Sequence, residues 1–338
     1  MSPPGRRVSF PPSHFRAEEF RMGEATRRAV LKGGLTVTAA GALGFAGAKS
    51  AAAVTTPVIH STAEWNARPP SGTIVVENHK PTYIVVHHTV DPGNNTDYSL
   101  AHALQISRDI QNFHMDTRGW IDTGQQFTNS RGGFVTEGRH RSLEILRGGK
   151  QHVQGANVAN HNSECIGIEN EGLYSTVDVP VALWNSLVQL VAYIAHQYGI
   201  TPEFIKGHRD FNSTECCGQV LYNRLPELRT AVGQQLGLSV ARLDAPEWPL
   251  LKPGDTGPQV RTAQRFLRAA GFGVPTDGVF GKATADAVSA LAAAHGLSRD
   301  SCTAARAGDE SAYLGSDVWP LIVPADRSTA AWRTELAR

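Results

Sequence analysis

The sequence has almost no imbalance of charge. Its 32 basic residues face 31 acidic ones, for a net charge of +1, so nothing in the composition supports the basic surface that a nucleic-acid binder needs. Cysteine is scarce. Only Cys165, Cys216, Cys217 and Cys302 occur in 338 residues, too few to staple a mini-fold, so a hydrophobic core must hold the domains. Cys216 and Cys217 are adjacent, so only one of them points into any given site. A long hydrophobic run is missing too. The apolar stretch from Gly33 to about Ala48 is short and rich in Gly and Ala, which argues against a permanent transmembrane helix. After the first fifty residues there is neither a tandem repeat nor a long low-complexity tract.

What is present begins with a leader. Thr26-Arg27-Arg28-Ala29-Val30-Leu31-Lys32 places twin arginines before the mildly apolar stretch, and Ala51-Ala52-Ala53 offers a small-residue cleavage point. The order resembles a twin-arginine export signal over residues 1–53. The expectation is a secreted or wall-associated protein with no stable membrane insertion once the signal is removed. The plainer reading is a disordered basic leader around a chance Arg-Arg.

Two blocks follow. In the first, residues 58–236, Thr82-Tyr-Ile-Val-Val-His-His88 is a β-branched apolar run suited to a strand buried on both faces. Ala103, Ile106, Ile110 and Phe113 recur at helical spacing, with Gly119 as a stop. Phe127-Thr128 and Phe134-Val135 flank a turn cluster and read as a hairpin. Cys165-Ile-Gly-Ile-Glu169 is a second buried strand. Pro180 is placed to start a helix carrying Leu183, Leu187, Val191 and Ile194, which Gly199 ends. A last helix fits Pro226 to Leu236. Strands interleaved with helices predict an α/β domain with a central mixed β-sheet flanked by helices. A linker over 237–250 leads to residues 251–324, a small C-terminal helical bundle, and to a tail over 325–338.

His87, His208 and Cys216 have the character of a zinc site. Imidazole and thiolate both suit zinc, and three protein ligands leave the fourth tetrahedral position for water. His87 lies near the end of a buried strand. Cys216 follows His208 closely enough for a loop to bring it back. Spacing alone does not single out this trio; the residues around it do.

Ile84-Val-Val-His-His-Thr89, Trp120-Ile-Asp-Thr-Gly124, Glu137-Gly-Arg139, Asn162-Ser163, Ile166-Gly-Ile-Glu-Asn-Glu-Gly172 and Gly207-His-Arg-Asp210 stand in order, followed by Thr214, Cys216, Gly218 and Leu221-Tyr222. Together they resemble the type 2 N-acetylmuramoyl-L-alanine amidases, which share a fold with the peptidoglycan recognition proteins. The resemblance implies Zn2+ held by His87, His208 and Cys216. It also implies a muramyl-peptide substrate and hydrolysis of the lactyl–L-alanine amide. Glu169, which strand alternation places on one face with Gly167 and Cys165, resembles the glutamate some members use as a general base. Thr214 stands where members have a Thr or Lys that assists the tetrahedral intermediate.

The sequence departs from the family at three places. Gln125 occupies the position of a frequent catalytic-site Tyr, Asn157 that of a His, and Cys217 that of a Pro. Gln125, Asn157 and Arg209 are expected to touch substrate, although Arg209 also suits local pairing. His88 points away from His87 and reads as a packed histidine. A Cys165–Cys217 disulfide is left open.

The second block resembles the peptidoglycan-binding 1 domain through Gly254-Asp-Thr-Gly257, Val260, Gln264, Leu267, Asp277-Gly-Val-Phe-Gly281, Thr284 and Gly296-Leu297. The family's Phe-Gln after the second turn is absent. Peptidoglycan is thus the expected partner of both blocks, nucleic acid is not, and no protein partner is implied. The alternative to the enzyme is a non-catalytic peptidoglycan-recognition protein on the same fold. A zinc peptidase acting on the stem peptide is a third reading.

Overall fold

The computed structural model describes residues 54–238, 248–298 and 309–323. The expected export signal, most of the linker, Cys302 and the C-terminal tail lie outside the described residues. Among the described residues, no helix is long and apolar enough to cross a membrane.

The first block runs β1 (Ile59–His60), β2 (Val76–Glu77), β3 (Tyr83–His88), α1 (Leu100–Asn112), β4 (Phe127–Asn129), β5 (Val135–Glu137), α2 (Ser142–Gly148), β6 (His152–Val153), β7 (Cys165–Asn170), α3 (Val181–Tyr198), β8 (Ile205–Gly207), α4 (Gln219–Asn223) and α5 (Leu225–Leu236). Six strands form one sheet in the order β1-β5-β4-β7-β3-β8, while β2 and β6 pair separately. Only β4 and β5 are antiparallel within the large sheet. The architecture is the mixed sheet between helices that the alternating patterns imply.

β3 lies between β7 and β8, and its Val-Val-His stretch is buried on both faces, as its β-branched run requires. The β4–β5 hairpin closes over Ser130–Phe134, where Gly133 takes φ +83°, a conformation that costs glycine least. Ser99 caps α1, its hydroxyl accepting from His102 N–H. The helix does not run straight to Gly119. It passes at Phe113 into a five-residue π turn ending at Thr117, with the Arg118 N–H reaching back to Phe113 O. α3 carries Leu183, Leu187, Leu190, Val191 and Ile194 inward, and Gly199 ends it at φ +72°.

The two faces of the sheet differ. Ile84, Val86, Phe127, Val135, Ile166 and Ile168 join α3 and α5 in the main core. Residues between them point the other way, toward α1, whose Ser107 hydroxyl bonds Thr136 across 2.7 Å.

In the second block, α6 (Pro258–Ala269), α7 (Lys282–Ala294) and α8 (Trp319–Ile322) enclose Val260, Leu267, Phe280, Val288 and Trp319. Gln264 is buried in this small core but saturated. It donates to Asp277, Val279 O and Thr284 and accepts from Gly278 N–H, which satisfies a buried amide and ties the second turn to the helix.

Candidate metal centre

Strand registration builds the site. Thr136 pairs with Thr128, Thr128 with Glu169, and Glu169 with His87. Laterally paired residues share a face, so four polar side chains form one row across the sheet, all buried. Beside the row, β8 pairs Gly207 with Val86, which delivers the next residue, His208, next to His87. Their ring centroids lie 4.5 Å apart.

Cys216 arrives through a loop that closes on itself. Arg209 N–H donates to Cys216 O at 3.2 Å, and Cys216 N–H donates to Thr214 Oγ1 at 3.1 Å. Asp210 fixes the turn by accepting from Gly207 N–H at 2.8 Å and from the Tyr222 hydroxyl. The outcome is a cluster in which one ligand atom from each of His87, His208 and Cys216 lies within 4.8 Å of the others, all three residues being buried.

The donor set fits zinc. Bond lengths of about 2.0–2.1 Å to nitrogen and about 2.3 Å to sulfur at a tetrahedral angle place those donors about 3.6 Å apart. His87 Nδ1 and Cys216 Sγ are 3.6 Å apart. His208 Nε2 is taken by Asn212 Oδ1 at 3.1 Å, while its Nδ1 is buried without a hydrogen-bond partner. An outer partner on one nitrogen that leaves the other for a metal is the usual arrangement of a ligating imidazole. The backbone N–H of His88 points at Cys216 Sγ from 3.4 Å, which favours a thiolate. No disulfide involves Cys165, Cys216 or Cys217.

Burial sets the protonation of the histidines. It pushes His208 down to about 4. It also pushes His87 well below its ordinary value, helped by the charges that His208 and His88 would carry. Both are neutral near pH 7, as ligation requires. His88, pushed to about 3 first by burial and then by Arg209, faces the core side, where its Nδ1 accepts from Tyr174 N–H at 3.3 Å. It is a packed histidine.

Asn157 lies over Gly167, where a Cβ would meet its Oδ1 at 2.4 Å. The missing side chain at 167 is therefore what lets the amide sit on the strand, between Cys165 and Glu169 and beside His87. Gln125 donates to Thr128 at 2.9 Å. Gln125 Oε1 is buried without a hydrogen-bond partner, while the Asn157 amide bonds the His87 ring. Arg209 turns elsewhere: it stacks on Tyr222 at 4.5 Å and bonds Gln219 and Glu215 O. Sequence reasoning missed Asn212, although its position four residues after His208 was a usable signal. It also missed Glu310 and Asp317 of the second block, which bond Glu215 N–H and the Ser213 hydroxyl beside the ligands. No local pattern marks a partner so distant in the chain.

A family model described as N-acetylmuramoyl-L-alanine amidase matches residues 77–219, and a peptidoglycan binding domain model matches residues 256–300. Peptidoglycan-recognition protein SC2 of Drosophila melanogaster is 34% identical over 181 residues, covering 53% of this chain and 89% of that protein. An N-acetylmuramoyl-L-alanine amidase of Sus scrofa is 31% identical over 172 residues; the match takes in 50% of this chain but only 27% of that protein's length. The solved structure of wild-type Drosophila PGRP-LB is 27% identical, with a TM-score of 0.44, over 50% of this chain and 93% of that one. With 34% identity to the SC2 recognition protein over 89% of its length, and an amidase model laid over the very segment that assembles the trio, this chain belongs to the family of N-acetylmuramoyl-L-alanine amidases and peptidoglycan-recognition proteins.

Proposed function

We propose that the protein is a zinc-dependent amidase that cleaves the bond between the lactyl group of N-acetylmuramic acid and L-alanine in peptidoglycan. The observation that carries this reading is the 3.6 Å His87–Cys216 separation, with the His208 nitrogen completing the set. When bound by these residues, zinc would polarise the scissile carbonyl and acidify a water. Glu169, next to His87 in the polar row, is assigned as general base, taking a proton from the attacking water and returning it to the leaving amine. The Thr214 hydroxyl accepts from Cys216 N–H and donates to the Glu310 carboxylate; we assign it to the developing oxyanion, toward which it would turn once substrate is bound. The uncommitted acceptor Gln125 Oε1 is assigned to a substrate N–H group, and Asn157, whose amide bonds His87, to orienting that imidazole at the edge of the substrate site. Arg209 holds the loop instead of substrate, because its guanidinium is already engaged there. We further propose that the C-terminal module binds wall, raising local substrate concentration, and that the chain is exported by the twin-arginine route to reach it.

Gln125 supplies no phenol where many family members have one, and this favours a second reading, a recognition protein without catalysis. Digestion of purified wall, with and without a chelator, separates the two. The amidase exposes L-alanine as a new amino terminus by mass spectrometry and is silenced by chelation. Wall left intact under metal-replete conditions would select the receptor. New α-amines within the stem peptide would select a peptidase.

A further inference from the structure

The C-terminal module rests on the loop that carries two of the three ligands. Ser316 donates to Arg209 O at 2.7 Å, one residue beyond His208. Glu310 Oε1 accepts from Glu215 N–H at 2.9 Å, one residue before Cys216. Between these points, Gly315 N–H donates to Ser213 Oγ at 2.6 Å, and the same hydroxyl bonds Asp317. Lys252 pairs with Glu215. The fit is close: a Cβ at Gly315 would meet Ser213 Cα at 2.9 Å. Glu310 itself is only 7% exposed, so its placement is a feature of the packed interior and not of a mobile rim.

The loop needs these contacts. After the short turn at His208–Asp210 it belongs to no strand or helix until Gln219, so backbone groups such as Arg209 C=O and Glu215 N–H must find partners elsewhere. They find them in the second module. A zinc site tolerates errors of only about 0.2 Å in its ligand distances, and a loop free to drift would hold its imidazole and thiolate outside that range for much of the time.

We propose that Glu310, Ser316 and Asp317 are positioning residues of the metal centre, so that the C-terminal module sets how tightly His208 and Cys216 hold their metal. This rests on the metal reading above and goes beyond wall binding as the module's role. The test is chelator competition for zinc on the full chain. It is paired with cobalt substitution, whose thiolate charge-transfer absorption reports the Cys216 bond, and with thermal unfolding of the metal-free protein. Glu310→Ala, and Ser316→Ala combined with Asp317→Ala, are expected to weaken zinc by about 10–100-fold, the range for lost outer-shell support. Glu310→Gln keeps an acceptor for Glu215 N–H and should restore most of the affinity. Asp286→Asn, on the exposed side of α7, should match the wild type. A purely structural contact would lower metal-free stability while leaving zinc affinity and the cobalt spectrum unchanged, and that result overturns the proposal. A wild-type protein that binds neither metal overturns the metal reading together with it. If Glu310→Ala does not fold, the Ser316/Asp317 variant carries the measurement.

Discussion

The two faces of the central sheet come from the same strands and follow opposite rules. Toward α3 and α5, Ile84, Val86, Ile166 and Ile168 fill a dry core. Toward α1, the intervening residues His87, Glu169, Thr128 and Thr136 are equally buried yet polar. Burying such groups costs free energy that burying the isoleucines releases. The apolar face therefore stabilises the fold, and the stability it provides is what permits the polar face to exist. The lesson is that stability and chemistry are divided by side-chain parity, and variants on the two faces should separate them.

The largest expected effect is at the thiolate. Cys216→Ser should reduce wall hydrolysis to background and abolish the cobalt–thiolate absorption while leaving the metal-free fold intact by circular dichroism. Glu169→Gln should follow, lowering kcat by about 10²–10⁴-fold, the usual share of a general base, with zinc affinity retained. On the opposite face, Ile168→Ala should cost about 2–5 kcal/mol of stability in urea titrations with little change in the zinc constant of the folded protein. If Ile168→Ala and Glu169→Gln exchange these signatures, the division by face is wrong.

Acid should act on the sheet module before the helical one. Unfolded histidines titrate near 6.5, but His208 and His88 are held down at about 4 and about 3 in the folded chain. Between roughly pH 6.5 and pH 4 the unfolded state therefore binds protons that the folded state refuses. Stability is full above that window and falls through it by up to about 1.4 kcal/mol per pH unit for each histidine. The helical module contains a single histidine, His295, which is exposed. Metal-free protein followed in urea at pH 7 and pH 5 should lose its sheet signal earlier at the lower pH. The smallest effect is expected from Gly167→Ala, which displaces Asn157 at a cost of about 1–3 kcal/mol. A crystal structure of that variant with Asn157 unmoved would remove it from the site.

Much of this was legible in the sequence. The β-branched run at Ile84–Val86, the alternation around Glu169 and the helical spacing from Leu183 to Ile194 gave β3, β7 and α3, because periodic burial leaves a periodic record. The clustering of His87, His208 and Cys216 was legible through neighbouring residues, not through the trio's own spacing. β8 went unread although it carries His208 into place, since three residues are too few to show a period. The π turn at Phe113 and the roles of Glu310 and Asp317 were also hidden. Their meaning lies in contacts across space, and in Glu310's case with a residue ninety-five positions away.

The registration of β7 against β3 places a strict limit on how this chain can change length. One residue inserted or removed within Cys165–Asn170 would turn Ile168 toward α1 and its carboxylate neighbour toward the isoleucines, ruining the core and the chemistry at a stroke. The same change in the segment between α2 and β7 leaves the odd–even order of the strand untouched. Length variants of this protein that survive should therefore collect in that segment away from β6 and Asn157, and be missing from the hexapeptide that follows.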